Sequence, residues 1–227
     1  MLKFDKIGFD RSDVQILKAL VLGEEERGQS QYQVMCFVCH FQKGDFISSD
    51  AMAKLRQKNP GTVRTPEEDR GHDNFTMDYF VQLDRSSVIS KHIAGTCSEA
   101  AEATYTRHVD IQQWAASPGA SESSLLTAVR KFPASPDQSG SDNTVVQRAS
   151  GTTDTLARCG ETPSMWSPCR CHLELCVGWY PCGLKYCKGK GETKSSAMTY
   201  RCGIKTCKKY YLFSYFVPQK QMCLWDE

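Results

Sequence analysis

Tyr180-Pro181-Cys182-Gly183-Leu184-Lys185-Tyr186-Cys187-Lys188 is echoed by Tyr200-Arg201-Cys202-Gly203-Ile204-Lys205-Thr206-Cys207-Lys208, twenty residues further on. A turn rich in Gly, Lys and Ser joins the two segments. Like segments around such a turn suggest two similar cross-linked loops facing each other. Around them lie most of the chain's 12 cysteines. Cys159, Cys169, Cys171, Cys176, Cys182, Cys187, Cys202, Cys207 and Cys223 all fall in the last third, and only Cys36, Cys39 and Cys97 come earlier. A segment this short buries little apolar surface, so it needs cross-links or a metal.

Disulfides and zinc are the two readings of that cluster. Zinc knuckles space their cysteines two to four residues apart, so that both sulfurs reach one tetrahedral ion. The repeated spacing here, Cys182/Cys187 and Cys202/Cys207, is longer, although Cys169-x-Cys171-His172 could add ligands. Nine cysteines over-supply one ion. An even total in a dense cluster favours disulfides and an oxidising compartment. Neither metal nor cofactor is therefore expected. The sequon Asn74-Phe75-Thr76 makes Asn74 a glycosylation candidate.

The 227 residues carry a net charge of +2, are 40% hydrophobic and have a mean hydropathy of -0.46. These values fit one large domain or two small ones. The longest apolar runs, near 16–22 and 34–38, are far short of the ~18 residues a spanning helix needs, so no membrane span is expected. The opening Met1-Leu2-Lys3-Phe4-Asp5-Lys6 leads into no apolar core, so no signal peptide is visible. Either the protein is intracellular or this chain lacks its natural start.

An α+β organisation follows from the patterning. Residues 1–115 read as one mixed unit. Strands are expected over 13–22, where a short helix is the alternative, and over 32–41, paired as a hairpin across the polar turn at 24–30. A helix over Asp50–Lys58, capped by Ser48 or Ser49, ends at Asn59-Pro60-Gly61. A strand over 74–83 and a helix over 98–114 complete the unit. Residues 116–157 are rich in Ser, Thr, Asp and Gly and read as a flexible linker, with one short helix around 123–131. Residues 158–227 form a mostly β or irregular cysteine-rich module, with an aromatic strand over 210–217.

Charge separates by segment. The last module has eleven basic and five acidic residues, against fourteen and seventeen in 1–115. Lys185, Lys188, Lys190, Arg201, Lys205, Lys208 and Lys209 concentrate the excess. They form either a solvated surface or a contact for a polyanion, a sulfated glycan or nucleic acid. No G-x-S-x-G, H-E-x-x-H, Walker or dinucleotide-binding motif occurs. None of the five histidines, His40, His72, His92, His108 and His172, sits in a catalytic spacing. No catalytic residue is expected and the chain is read as non-enzymatic.

Several strings carry a resemblance. They are Leu20-Val21-Leu22-Gly23-Glu24, Gly28-Gln29-Ser30-Gln31, Ala51-Met52-Ala53-Lys54-Leu55-Arg56-Gln57-Lys58-Asn59-Pro60, Trp179-Tyr180-Pro181-Cys182 and Cys223-Leu224-Trp225-Asp226-Glu227. Together they resemble the Out at first family over nearly the whole chain except the linker. The resemblance implies a secreted protein associated with development, whose leader is missing from this chain. It implies a first domain similar to BRICHOS domains, and on that basis a Cys36–Cys97 bridge. Closing that loop would contribute roughly 4 kcal/mol on the chain-entropy model. The acidic residue usual in BRICHOS domains has Glu24 as its nearest counterpart. Cys39 and Cys176 are additional to the family pattern; they either pair with each other or stay as thiols.

Three functions are thereby open. The first is a secreted interaction or signalling protein with an unknown protein or extracellular-matrix partner, such as a sulfated glycan, and no nucleic acid. The second is a chaperone-like binder of extended β-prone segments by edge pairing. The third is an intracellular zinc-binding regulator.

Overall fold

The computed structural model describes residues 13–22, 32–41, 53–54, 57, 61, 65–133, 156–188 and 199–226, with the backbone course of 3–7. It is mixed α+β with a disulfide-rich C-terminal part. The chain divides into two compact units. One comprises Met1–Phe41, Phe75–Leu173 and Phe213–Glu227; the other comprises Gln42–Asn74 and Glu174–Leu212.

The first unit is built on a six-stranded sheet. Its strands are β1 (Lys3–Ile7), β2 (Val14–Val21), β3 (Gln33–His40), β5 (Tyr79–Val81), β6 (Thr104–Thr106) and β7 (Val129–Lys131), in the order β1-β2-β3-β6-β5-β7. The two N-terminal strands expected from the sequence are β2 and β3. They pair antiparallel from Val14↔His40 to Val21↔Gln33. β3 then pairs parallel with β6, Cys36 lying against Thr104.

β3 is central, and five consecutive residues, Met35 to Cys39, are buried. A strand covered on both faces reads as an unbroken apolar run. One face carries Cys36 and Val38, which pack with Val14, Ile16, Ile93, Ile111 and Trp114. The other carries Phe37, stacked on Phe213 with ring centroids 4.1 Å apart. Tyr105 and Tyr215 complete that aromatic layer at 5.0 Å. Both phenols find acceptors inside it: Tyr105 Oη donates to the Phe216 carbonyl at 3.1 Å and Tyr215 Oη to the Met35 sulfur at 2.9 Å.

The helix expected over 98–114 is corrected. Ser98–Ala100 is one 3-10 turn, Thr104–Thr106 is β6, and only His108–Ala115 is α-helical. Three causes act together. Cys97 is bonded to β3, Thr-Tyr-Thr is a β-branched and aromatic run, and all three of these residues are buried in the sheet. The strand expected over 74–83 breaks at Met77-Asp78 into β4 (Glu68–Thr76) and β5. The short helix near 123–131 is Glu122–Leu126, followed by β7, with Leu125 and Ala128 buried. Of the helix expected over 50–58, Ala53, Lys54 and Gln57 are helical and the rest lies outside the described residues.

A three-stranded sheet in the order β4-β9-β8 uses the C-terminal strands, β8 (Cys169–Lys188) and β9 (Thr199–Val217). The segments 174–188 and 199–212 of these strands, with β4 up to Asn74, belong to the second unit. Among the described residues no helix is long and apolar enough to cross a membrane.

Candidate functional site

Five cysteine pairs stand at disulfide geometry. Cys36 and Cys97 tie β3 to the end of the helix Ile93–Thr96, with Cα atoms 6.0 Å apart. Cys159–Cys169 (5.0 Å) and Cys171–Cys223 (5.8 Å) lie side by side in the first unit. In the second unit Cys182–Cys207 and Cys187–Cys202 join β8 to β9, at 5.8 and 5.7 Å.

The last two pairs join the two repeats, a pairing that the sequence had left open. Each bridge runs between repeats, not within one. The strand explains why: five residues of extended chain cover about 17 Å, and a disulfide requires Cα atoms within about 7 Å. Cys182 and Cys187 lie on one strand and cannot meet. The first cysteine of each repeat therefore bonds the second of the other, as an antiparallel hairpin demands.

Cys39 and Cys176 are both free thiols. Cys39 is a buried residue of β3. Burial, and then the Asp110 carboxylate, drive its thiol pKa far up, with Arg107 opposing. Such a thiol is inert, because the thiolate is the reactive form. Cys176 is exposed on β8. Among the described residues one group has metal-compatible crowding: the sulfurs of Cys159, Cys171 and Cys223 lie within 4.8 Å of one another. All three are already in bridges, and a bridged sulfur is not the thiolate that zinc takes.

The basic residues of the repeat meet an acidic strand. Lys185 pairs with Glu67, Lys205 with Glu68, Lys208 with Asp69 at 2.9 Å and Lys209 with Asp73. The Lys185 hydrogen bond lowers the Glu67 pKa, the Lys205 bond lowers that of Glu68, and Lys208 with the Gly71 N–H lowers that of Asp69. Lys208 is correspondingly raised by Asp69. Lys188 and Arg201 are exposed and make no ion pair among the described residues. Lys190, like Glu24, lies outside them. Asn74 and Thr76 are both exposed on β4.

Sequence reasoning missed the acidic partners, because Glu67-Glu68-Asp69-Arg70 has no apolar alternation to mark a strand. The excess of acid in 1–115 against the excess of base in 158–227 was the available signal. It also missed the clamp near the start of β8. Asp226, nearly buried, takes the Arg158 guanidinium and accepts the His172 N–H at 3.0 Å. Trp225 Nε1 donates to the His172 carbonyl at 3.1 Å. Burial lowers the His172 imidazole pKa, against the opposing pull of the Asp226 carboxylate.

Comparison with known proteins covers both halves of this arrangement. Residues 6–114 match the family described as Out at first, and residues 158–227 match Out at first, C-terminal. The Out at first protein of Drosophila melanogaster is 58% identical, over 96% of this chain and 42% of its own length. That of Drosophila virilis is also 58% identical, over 96% of this chain and 68% of its own. The chain thus spans less than half of the D. melanogaster relative. No solved structure matches it. With both family regions matched in order and the identity sustained across both, the chain belongs to the Out at first family.

Proposed function

We propose that the chain is a secreted, non-enzymatic interaction protein acting in development, with a protein or matrix partner. The observation that carries this reading is the set of five bridges, four of them crowded between Cys159 and Cys223. Such density belongs to oxidising compartments, where small modules are held by bonds their cores cannot replace. The exposed Asn74 and Thr76 add support, since a sequon must be reachable to be glycosylated. The test is expression of the complete gene product in animal cells. The expected result is protein in the medium, a mobility shift on removal of N-linked glycans that Thr76→Ala abolishes, and five bridged pairs in the unreduced digest. Retention inside the cell with thiols open to alkylation without reductant would overturn the reading.

Sulfated glycan contact is proposed as the mode of binding to the matrix. Among the described residues Lys188 and Arg201 are exposed without an acidic partner. Engaging Lys185, Lys205, Lys208 and Lys209 would exchange the carboxylates of Glu67 and β4 for sulfates. The acidic strand is then the competitor that sets how tightly a glycan is held.

A further inference from the structure

Among the described residues, strand β8 runs for 20 residues at the edge of its sheet, with β9 as its neighbour in the strand order. An edge strand presents a row of main-chain N–H and C=O groups to any strand that can align with it. At the start of β8 this row is in use. The Arg170 N–H donates to the Ala157 carbonyl at 2.9 Å, and the Arg170 carbonyl accepts from the Cys159 N–H at 3.0 Å. His172 is capped on the same side by Asp226 and Trp225. The period of two in a strand aims the main-chain groups of Glu174, Cys176 and Gly178 the same way. Further along, Lys185 and Lys188 add charge, a device that resists edge pairing.

Between the cap and the proline lies the window Glu174-Leu175-Cys176-Val177-Gly178, free of lysine and proline. At its centre sits the one exposed free thiol among the described residues. Leu175 is buried, while Glu174, Cys176 and Gly178 are exposed. We infer that β8 pairs antiparallel with β8 of a second copy of this chain about Cys176, and that the two Cys176 sulfurs join across the axis.

The geometry is self-consistent. A two-fold axis at residue 176 sets Cys176 opposite its own copy, as an isologous interface requires. A hydrogen-bonded antiparallel pair holds opposite Cα atoms about 5.5 Å apart, inside the range that disulfides span. Glu174 falls opposite Gly178 of the other copy, so no like charges meet. A second copy is the occupant because it brings both an open five-residue window and a thiol at its centre. The chemistry balances through a low-molecular-weight disulfide such as oxidised glutathione. One Cys176 thiolate displaces one glutathione, and the second Cys176 displaces the other. Two protein thiols are oxidised to one bridge while the glutathione disulfide is reduced to two thiols.

The test uses the purified full chain in a glutathione redox buffer, so that a failure of secretion leaves it unaffected. The expected product is a species of twice 25.5 kDa that reductant converts to monomer and whose digest contains Cys176 joined to Cys176. Cys176→Ser abolishes it. Gly178 has open space around its Cβ direction, so Gly178→Glu and Gly178→Lys both leave the fold intact. The first sets a carboxylate against Glu174 of the other copy and the second sets an ammonium there. At low salt the Lys variant should form the bridged dimer at least about threefold faster than the Glu variant. A monomeric product, with Cys176 free, capped by glutathione or joined to Cys39, overturns the proposal. So does a dimer bridged through another cysteine, or equal rates for the two Gly178 variants.

Discussion

Arg107 Nη2 donates to Asp110 Oδ1 at 2.6 Å while Arg107 Nε donates to Oδ2 at 2.7 Å, and the Asp110 side chain has no exposure at all. The guanidinium also lies 4.2 Å from the centre of the Phe75 ring. Asp110 lies in the first turn of the helix His108–Ala115, which packs on β3. Breaking a buried pair by removing one partner leaves the other charge uncompensated. Asp110→Ala should therefore destabilise the first unit by about 3 kcal/mol, the low end for such pairs because Arg107 keeps some exposure. Urea denaturation followed by tyrosine and tryptophan fluorescence reads that loss directly. Arg107→Lys should recover little, since an ammonium cannot reproduce the fork.

The Cys36–Cys97 bridge closes a loop of 61 residues. Both sulfur-bearing residues are fully buried, so replacing them with alanine leaves apolar neighbours in place. The Cys36→Ala/Cys97→Ala double variant should lose about 4 kcal/mol, chiefly through a freer unfolded chain. Chemical denaturation of this variant beside the natural sequence checks it. A loss below about 1 kcal/mol would mean that β3, β6 and the intervening turns hold themselves together without the bond.

Acid should loosen this protein in two stages, and the sign is the same for each. Burial lowers the His172 pKa from an ordinary value of 6.5, so below that value the unfolded chain takes up a proton that the folded one refuses. Stability then falls as pH falls. The lysine-bonded Glu67, Glu68 and Asp69 are lowered from 4.5, 4.5 and 3.8, which extends the decline to lower pH. Their contribution is complete above the ordinary carboxylate values and lost as pH drops through the folded ones. His172→Gln should remove the upper stage and leave the lower. Thermal midpoints measured from pH 8 to pH 3 would show whether the two stages separate.

The parts of the fold that could be read in advance are those where one residue pattern serves one purpose. Val-Gln-Ile-Leu in β2 and Val-Met-Cys-Phe-Val in β3 bury apolar side chains at strand spacing, and both strands were legible. Thr104-Tyr105-Thr106 was not, because apolar residues at 100, 103, 111 and 114 match a helix while the strand between them is fixed by distant partners, Cys36 and Tyr79. β4 was hidden for the opposite reason. Its side chains satisfy charge across the sheet instead of packing, so its partners lie more than a hundred residues away in sequence, as with Glu68 and Lys205. The bridges between the repeats follow from strand extension, a length argument that needs the knowledge that 182–187 is a strand.

The acidic strand makes a prediction about binding that opposes the simplest view of a basic surface. Lys205, Lys208 and Lys209 each hold a carboxylate of β4 and Lys185 holds Glu67 just before it, so a sulfated chain meets a neutralised face. Only Lys188 and Arg201 stand exposed without such a partner among the described residues of the set. Retention on immobilised heparin should therefore be weak for the natural sequence. Glu67→Gln, Glu68→Gln, Asp69→Asn and Asp73→Asn together free four cations while altering shape little. That variant should elute at distinctly higher salt, and its elution should depend steeply on ionic strength, because exposed charges are screened over about 10 Å at 0.1 M. Unchanged elution would mean that the lysines stay engaged elsewhere or that the face takes no polyanion. The control is Lys188→Ala/Arg201→Ala, which should lower retention in the natural sequence and in the β4 variant alike.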